Sequence, residues 1–273
     1  MEFVTLNNGV KMPVLGYGTF QTPPKSTAEN LEMALNAGYR SIDTAQAYGN
    51  EAGVGQALKQ SGLAREQVFI TSKTSTDGYA KTKQGIDMSL NRLGSDHFDL
   101  LIIHWPTPNS LDSYRALEDA LAAGKTRAIG VSNFNAKDLE LLINNSHIVP
   151  AVDQIETHLY WQQTKMRAYL QQHNIVHEAW APLAESLGAE MMQLPEVKAL
   201  ASKYGVSSAQ VLLRFLTQQQ IVAIPKSMNP AHVASNFDIF GFSLTSEEID
   251  SLTKFDRHRS IKDWPTNMRE NAY

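Results

Sequence analysis

Residues 99–105 read DLLIIHW. Four aliphatic side chains stand in a row, and a histidine and a tryptophan follow them. The run is far too short to cross a membrane and has the length of a strand buried on both faces. Seven more strand-like runs lie along the chain: VLGYGTF (14–20), RSIDTA (40–45), VFITSK (68–73), RAIGVSN (127–133), AVDQIETH (151–158), IVHEAWAP (175–182) and IVAIPKS (221–227). Several are apolar early and polar late: SI before Asp43, FITS before Lys73, LLII before His104, VAIP before Lys226. Helix-like segments separate most of them, among them NLEMALNAG (30–38), TKQGIDMSLNRLG (82–94) and DLELLINN (138–145). Two more, EVKALASKYG (196–205) and SSAQVLLRFLTQ (207–218), stand between the last two strands. Eight strands alternating with helices imply an α/β fold with a parallel sheet, and eight is the number that closes a (β/α)8 barrel of the TIM type. The polar late ends then gather at the barrel's C-terminal mouth, where such barrels keep their sites. FVTLNNGVKMPVL ahead of the first run alternates around Asn8-Gly9, a dipeptide that favours a tight β-hairpin turn. Extra helices or loop are expected after the last strand.

Composition agrees with this architecture. The chain has 273 residues, 42% hydrophobic and 19% charged, with a formal net charge of −4 and no cysteine. Length alone allows one large barrel or two ordinary domains. With no linker or change of composition along residues 1–273, one barrel domain is expected. No long basic run recommends a nucleic-acid partner. The N-terminus lacks the basic-then-apolar order of a signal peptide, and the absence of cysteine fits a cytoplasmic protein. No helix offers a plainly apolar exposed face, so a monomer is expected.

SIDTAQAYGNE (41–51) places Asp43 at a strand end and Tyr48 just beyond it. With Lys73 and His104 they form a set at neighbouring strand ends. Taken singly, Asp43 suits a helix cap and Lys73 a solvated surface. Together they suit a reaction. A phenol keeps its proton at neutral pH, a nearby ammonium makes that proton easier to give up, and a carboxylate holds the ammonium in place. A histidine can hydrogen-bond the same substrate oxygen. Such a set would protonate a carbonyl oxygen as hydride reaches the carbon.

SIDTAQAYGNE, FITSK, LIIHWP, GVSNF, VDQIE and IPKS, in this order along nearly the whole chain, resemble the aldo-keto reductases. The likeness is to small bacterial-type members similar to the 2,5-diketo-D-gluconate and glyoxal reductases. It implies NADPH-dependent reduction of aldehydes and ketones to alcohols. It makes Tyr48 the general acid, Lys73 and Asp43 the pair that lowers the phenol's pKa, and His104 the group that orients the carbonyl. It also implies that Ser132, Asn133 and Gln154 bond the nicotinamide carboxamide and that Trp180 stacks on the ring. Thr19, Phe20 and Asp43 would face the cofactor as well. Leu183 would line the pyrophosphate path, and Asn236 would contact the adenine.

A hydride donor must come from a cofactor, since side chains cannot supply one. The Rossmann-like glycine candidates fail: GYGTFQ (16–21) and GVGQAL (53–58) carry Gln21 and Leu58 where a glycine should stand. The alternative is IPKSMNPAH after the last strand. Asn229 can cap a helix, Pro230 suits its first position, and the free N–H groups of such a terminus bind phosphate. The resemblance implies that this loop holds the adenosine 2′-phosphate of NADP, with Lys226, Ser227, Met228, Asn229 and His232 around it. The family commonly has arginine and glutamate where this chain has His232 and Ser235. A neutral histidine offers one donor where arginine offers two, so NADH use is expected beside NADPH.

Phe20, Tyr48, His104 and Trp105 are expected to line the substrate pocket, with Trp264 as a further apolar wall. The surrounding loops look short, which suits small or varied carbonyl substrates. His173 and His177 are four residues apart, but NIVHEAW reads as a strand and no third ligand is evident, so no metal is expected. Two rival readings keep the barrel. One is a cofactor-binding sensor or partner subunit without catalysis. The other is a lyase or phosphosugar isomerase that uses the loop after the last strand for substrate phosphate.

Overall fold

Each of the eight apolar runs forms a strand. The structure, a computed structural model, describes residues 1–262; Trp264 lies outside them. The strands are β3 (Tyr17–Gly18), β4 (Ser41–Asp43), β5 (Phe69–Thr74), β6 (Leu100–Ile103), β7 (Ile129–Ser132), β8 (Val152–Glu156), β9 (Val176–Trp180) and β10 (Val222–Ala223). They pair in parallel in sequence order from β3 to β10. Backbone bonds close the circle: Gly16 donates to the Ala223 carbonyl at 2.9 Å, and Ala223 donates to the Val14 carbonyl at 2.9 Å. This is the (β/α)8 barrel that the alternation of runs implies.

A hairpin precedes it, made of β1 (Phe3–Thr5) and β2 (Lys11–Pro13) with Val4 opposite Met12. Its turn runs through Asn8-Gly9, as expected. Leu6 donates to the Val10 carbonyl and Gly9 to the Leu6 carbonyl, and only Gly9 takes a positive φ, at +87°. The connection is therefore three residues long, with the glycine in the left-handed region. The Asn8 side chain accepts from the Val10 amide and donates to the Arg127 carbonyl.

The helices are α1 (Thr27–Ala37), α2 (Glu51–Ser61), α3 (Tyr79–Leu93), α4 (Ser110–Ala122), α5 (Ala136–Asn145), α6 (Thr164–Gln172), α7 (Gly188–Met192), α8 (Pro195–Tyr204), α9 (Ser208–Thr217), α10 (Pro230–Phe237) and α11 (Ser246–Thr253). Their ends follow the local chemistry. Gly38 stops α1 at φ +110°, and Ser207 with Gln210 makes a reciprocal cap at the start of α9. Among the described residues, no helix is long and apolar enough to cross a membrane.

Alternation along each strand splits the apolar residues into two layers. Leu101, Ile103, Ile129 and Val131 pack outward in the layer that holds the helix residues Leu31, Leu90, Leu117 and Leu139. Phe69, Leu100, Ile102, Val152 and Val222 point inward and pack with Val4, Leu6 and Met12 of the hairpin, which plugs the N-terminal end. The C-terminal ends are left open, so polar inward residues there face a cavity instead of a plug.

His177 on β9 lies in the outer layer, buried, with Nε2 at 2.7 Å from the Thr157 hydroxyl. Burial, helped by the charge of Arg167, pushes its pKa from 6.5 to about 3. Between pH 6.5 and 3 the unfolded chain binds a proton here that the folded chain refuses, so stability falls as pH falls through that window. Between pH 7 and 5 the wild type should lose about 2 kcal/mol more stability than His177→Gln. Urea denaturation of both proteins at the two pH values checks this; equal losses would contradict it.

Candidate active site

The last inward residues of β4, β5 and β6 are Asp43, Lys73 and, one step past the strand, His104. Register brings them together: β4 pairs with β5 and β5 with β6, and the His104 amide donates to the Thr74 carbonyl at 3.1 Å. Tyr48 arrives from a 3-10 turn over Gln46–Tyr48, which Gly49 ends at φ +67°. Two braces hold this turn. Thr44 donates its hydroxyl to Asn50 Oδ1 at 2.7 Å, and the Gln46 side-chain oxygen accepts from the Ser75 amide at 3.0 Å.

An ammonium has three N–H donors, and Lys73 has three acceptors around it. They are Asp43 Oδ1, the Thr44 carbonyl at 3.1 Å and the Tyr48 hydroxyl at 3.3 Å. Lys73 and Asp43 are almost fully buried, so each stabilises the other's charge away from water. Tyr48 is half-buried, and its ring meets the His104 ring edge-on at 5.6 Å. The four residues assembled from separate stretches of sequence thus stand at one place.

The electrostatics differ in one respect from the expectation. Burial is the largest influence on the Tyr48 phenol and pushes it above the ordinary value of 10; Lys73 pulls the other way without prevailing. Burial also works to strip the Lys73 proton, but Asp43, Tyr48 and Glu178 together hold the ammonium above its ordinary value. Burial, and next the Lys73 charge, push His104 down to about 3. At neutral pH the site therefore holds a protonated phenol, an ammonium and a neutral imidazole.

Asp43, Tyr48 and His104 line a cavity of about 440 Å³, while Lys73 is buried outside its wall. Tyr48, His104, Phe20 and Trp105 line one part of it, with the Phe20 and Tyr48 rings 5.1 Å apart. Ser132, Asn133, Gln154, Trp180, Leu183 and Lys226 line the rest. Trp180 is fixed by a 2.9 Å bond from its Nε1 to Asn133 Oδ1, and Asn133 sits at φ +63°, where asparagine is tolerated. Ala181, next to Trp180, is held at φ +49°, an uncommon value for a residue with a Cβ and a local strain beside the cavity.

The remaining expected residues are placed differently. Thr19 is fully buried and outside the cavity wall, with its hydroxyl donated to the Asp43 carbonyl at 2.9 Å. Ser227, Met228, Asn229 and His232 follow Lys226 on the turn into α10 and do not line the cavity. Asn229 caps α10 by accepting from the Ala231 amide at 2.9 Å, and Tyr17 donates to the Ser227 carbonyl at 2.5 Å. His232 is exposed, while Asn236 is buried at 5% exposure. Glu178 and Lys262 also stand at the site, outside the set of residues expected there. Glu178 lies two residues before Trp180, so strand alternation already placed it on the same inward face. Lys262 lines the cavity 5.8 Å from the Phe20 ring and 5.7 Å from the Trp180 ring, and no pattern in the sequence points to it. The adjoining segment is tied down by Glu156, which accepts from Ser260 Oγ at 2.6 Å and the Ile261 amide at 2.7 Å.

Residues 14–257 match the family model described as Aldo/keto reductase family. The chain is 41% identical to morphine 6-dehydrogenase of Pseudomonas putida over 99% of its own length and 96% of that protein's. A crystal structure of an aldo/keto reductase from Brucella melitensis superposes with a TM-score of 0.90 at 42% identity, over 93% of this chain and 99% of that one. An aldo-keto reductase of Bombyx mori, solved in complex with NADP, gives a TM-score of 0.90 at 32% identity, over 96% and 95%.

Proposed function

The chain belongs to the aldo/keto reductase family, and from that premise we propose that it is an NADPH-dependent carbonyl reductase in which Tyr48 is the proton donor. The observation that carries this reading is the sharing of the Lys73 ammonium between Asp43 and the Tyr48 hydroxyl at the floor of an open cavity.

The cavity fits a nicotinamide nucleotide. It offers an aromatic platform in Trp180, amide and hydroxyl groups at Ser132, Asn133 and Gln154, and a cation at Lys226. Those residues would hold the cofactor, which when bound supplies the hydride for the carbonyl carbon. The chain's own residues do the rest. His104, neutral, donates a hydrogen bond to the carbonyl oxygen and orients it. Tyr48 gives that oxygen its proton. Lys73 stabilises the phenolate left behind, and Asp43 keeps Lys73 in place. Phe20 and Trp105 present apolar surface to the rest of a small carbonyl compound.

The turn after β10 would receive the adenosine 2′-phosphate through Lys226 and Ser227. His232 stands where arginine is common in the family, so one charge-assisted bond is weakened. NADPH should bind more tightly than NADH by ~10–100-fold, readable as quenching of tryptophan fluorescence. In the same preparation methylglyoxal and an aromatic aldehyde should both drive NADPH consumption. A preference on the order of thousands-fold would contradict the role given to His232. Tight NADPH binding with no turnover of a wide carbonyl panel would instead favour the non-catalytic sensor.

A further inference from the structure

Glu178 sits in the middle of β9, fully buried, beside a site that already has its acid. A buried carboxyl is costly unless something pairs with it, so its partner identifies its task. Lys73 is not that partner, since its three donors go to Asp43, Thr44 and Tyr48. Among the described residues Glu178 Oε1 bonds to nothing, and Oε2 accepts one bond, from Gln154 Nε2 at 2.9 Å. The two residues face each other in register across β8 and β9. The same Gln154 nitrogen donates to Asp43 Oδ2 at 2.9 Å.

An amide nitrogen carries two hydrogens, and both are now committed. The orientation is forced by chemistry. An amide oxygen at that spot would lie 2.9 Å from the Asp43 carboxylate, acceptor against acceptor. Gln154 is therefore clamped from two sides, and Oε1 is the group left for the cavity it lines. That oxygen only accepts, and a primary carboxamide presents an N–H to meet it. With Asp43 alone, the amide would keep one anchor and could turn about it.

We propose that Glu178 is a positioning residue that, together with Asp43, locks the Gln154 amide with its oxygen toward the cavity and so sets recognition of the nicotinamide carboxamide. This rests on the reductase reading above. Burial, and next the Asp43 charge, push the Glu178 carboxyl well above the usual carboxylate range. A neutral carboxyl leaves the Asp43–Lys73 pair balanced while its oxygen still accepts from Gln154.

The test is NADP+ affinity, read by tryptophan fluorescence quenching, in wild type, Glu178→Leu, Glu178→Gln, Gln154→Ala and the Gln154→Ala/Glu178→Leu double variant. Glu178→Leu should weaken binding ~10-fold, the loss of one ordering hydrogen bond. Glu178→Gln keeps an acceptor for Gln154 and should restore affinity to within about threefold of wild type. In the Gln154→Ala background Glu178→Leu should cost nothing further, because its route is gone. Adenosine 2′,5′-bisphosphate, which lacks the nicotinamide end, should bind all five proteins alike. Equal losses from Glu178→Leu in both backgrounds, or a matching loss for the bisphosphate, would overturn the proposal. A wild type that binds the bisphosphate but gains nothing from the nicotinamide half also overturns it while sparing the phosphate site. A wild type that binds neither ligand removes the reductase reading itself.

Discussion

Lys73→Met is expected to abolish most activity and to cost about 3–5 kcal/mol of stability, because it strands the buried Asp43 carboxylate. Asp43 is 3% exposed, and without the ammonium its charge would be balanced only by the Gln154 amide and the protein's dipoles. The cost belongs to the unpaired charge and not to the lost side chain. Adding Asp43→Asn should therefore recover most of the stability, since removing both partners of a buried pair is often close to neutral. It should recover none of the activity. Tyr48 would still lack the cation that offsets its burial, and its proton would be harder to give up. Urea denaturation of the single and double variants, with turnover measured beside it, separates the two effects. A double variant no more stable than Lys73→Met would show that Asp43 is not the group left in distress.

Tyr48→Phe removes one oxygen and leaves the ring in its contacts with Phe20 and His104. Stability should change little, since the hydroxyl makes one bond, at 3.3 Å, to a lysine with two other acceptors. The reductive rate should fall by ~10³-fold, the range of a positioned general acid. With the phenol above 10 and His104 near 3, neither group changes its protonation between pH 5 and 8. The wild-type chemical step should therefore show no inflection from these two groups across that interval. A Tyr48→Phe enzyme that retains a tenth or more of the wild-type rate would take the proton-donor role away from Tyr48.

Much of this was visible in the order of residues along short runs. LLII before His104 and FITS before Lys73 contain both statements, a buried strand and an exit into a cavity, because a barrel strand meets its apolar plug at one end and solvent at the other. The same logic placed Asp43 and Lys226, whereas Trp180 was marked only by the family resemblance. What could not be read was anything set by the environment in three dimensions. Lysine beside a phenol says lower pKa, but how deeply that phenol is buried depends on Phe20, His104 and the strand ends around it, and burial prevails. Thr19 sits beside the site in sequence, yet its backbone register turns its hydroxyl onto the Asp43 carbonyl. Glu178 was within reach, since a period of two from Trp180 places it inside; a carboxyl in a strand simply reads as solvent-facing until its strand is known to be buried on both sides. Lys262 arrives from a distant segment that Glu156 ties down, and no local pattern announces such a contact.

On the proposed function, this cavity holds a reduced nicotinamide against a carbonyl carbon and Tyr48 supplies the proton. The most direct measurement is a long incubation of wild type and Tyr48→Phe with NADPH deuterated at the transferable position and an excess of aldehyde, with the alcohol product read by mass spectrometry. Wild type should give alcohol that carries the deuterium on the former carbonyl carbon, while Tyr48→Phe binds the cofactor and yields scarcely any alcohol in the same time. Unlabelled alcohol, or equal labelled product from both proteins, would contradict the account.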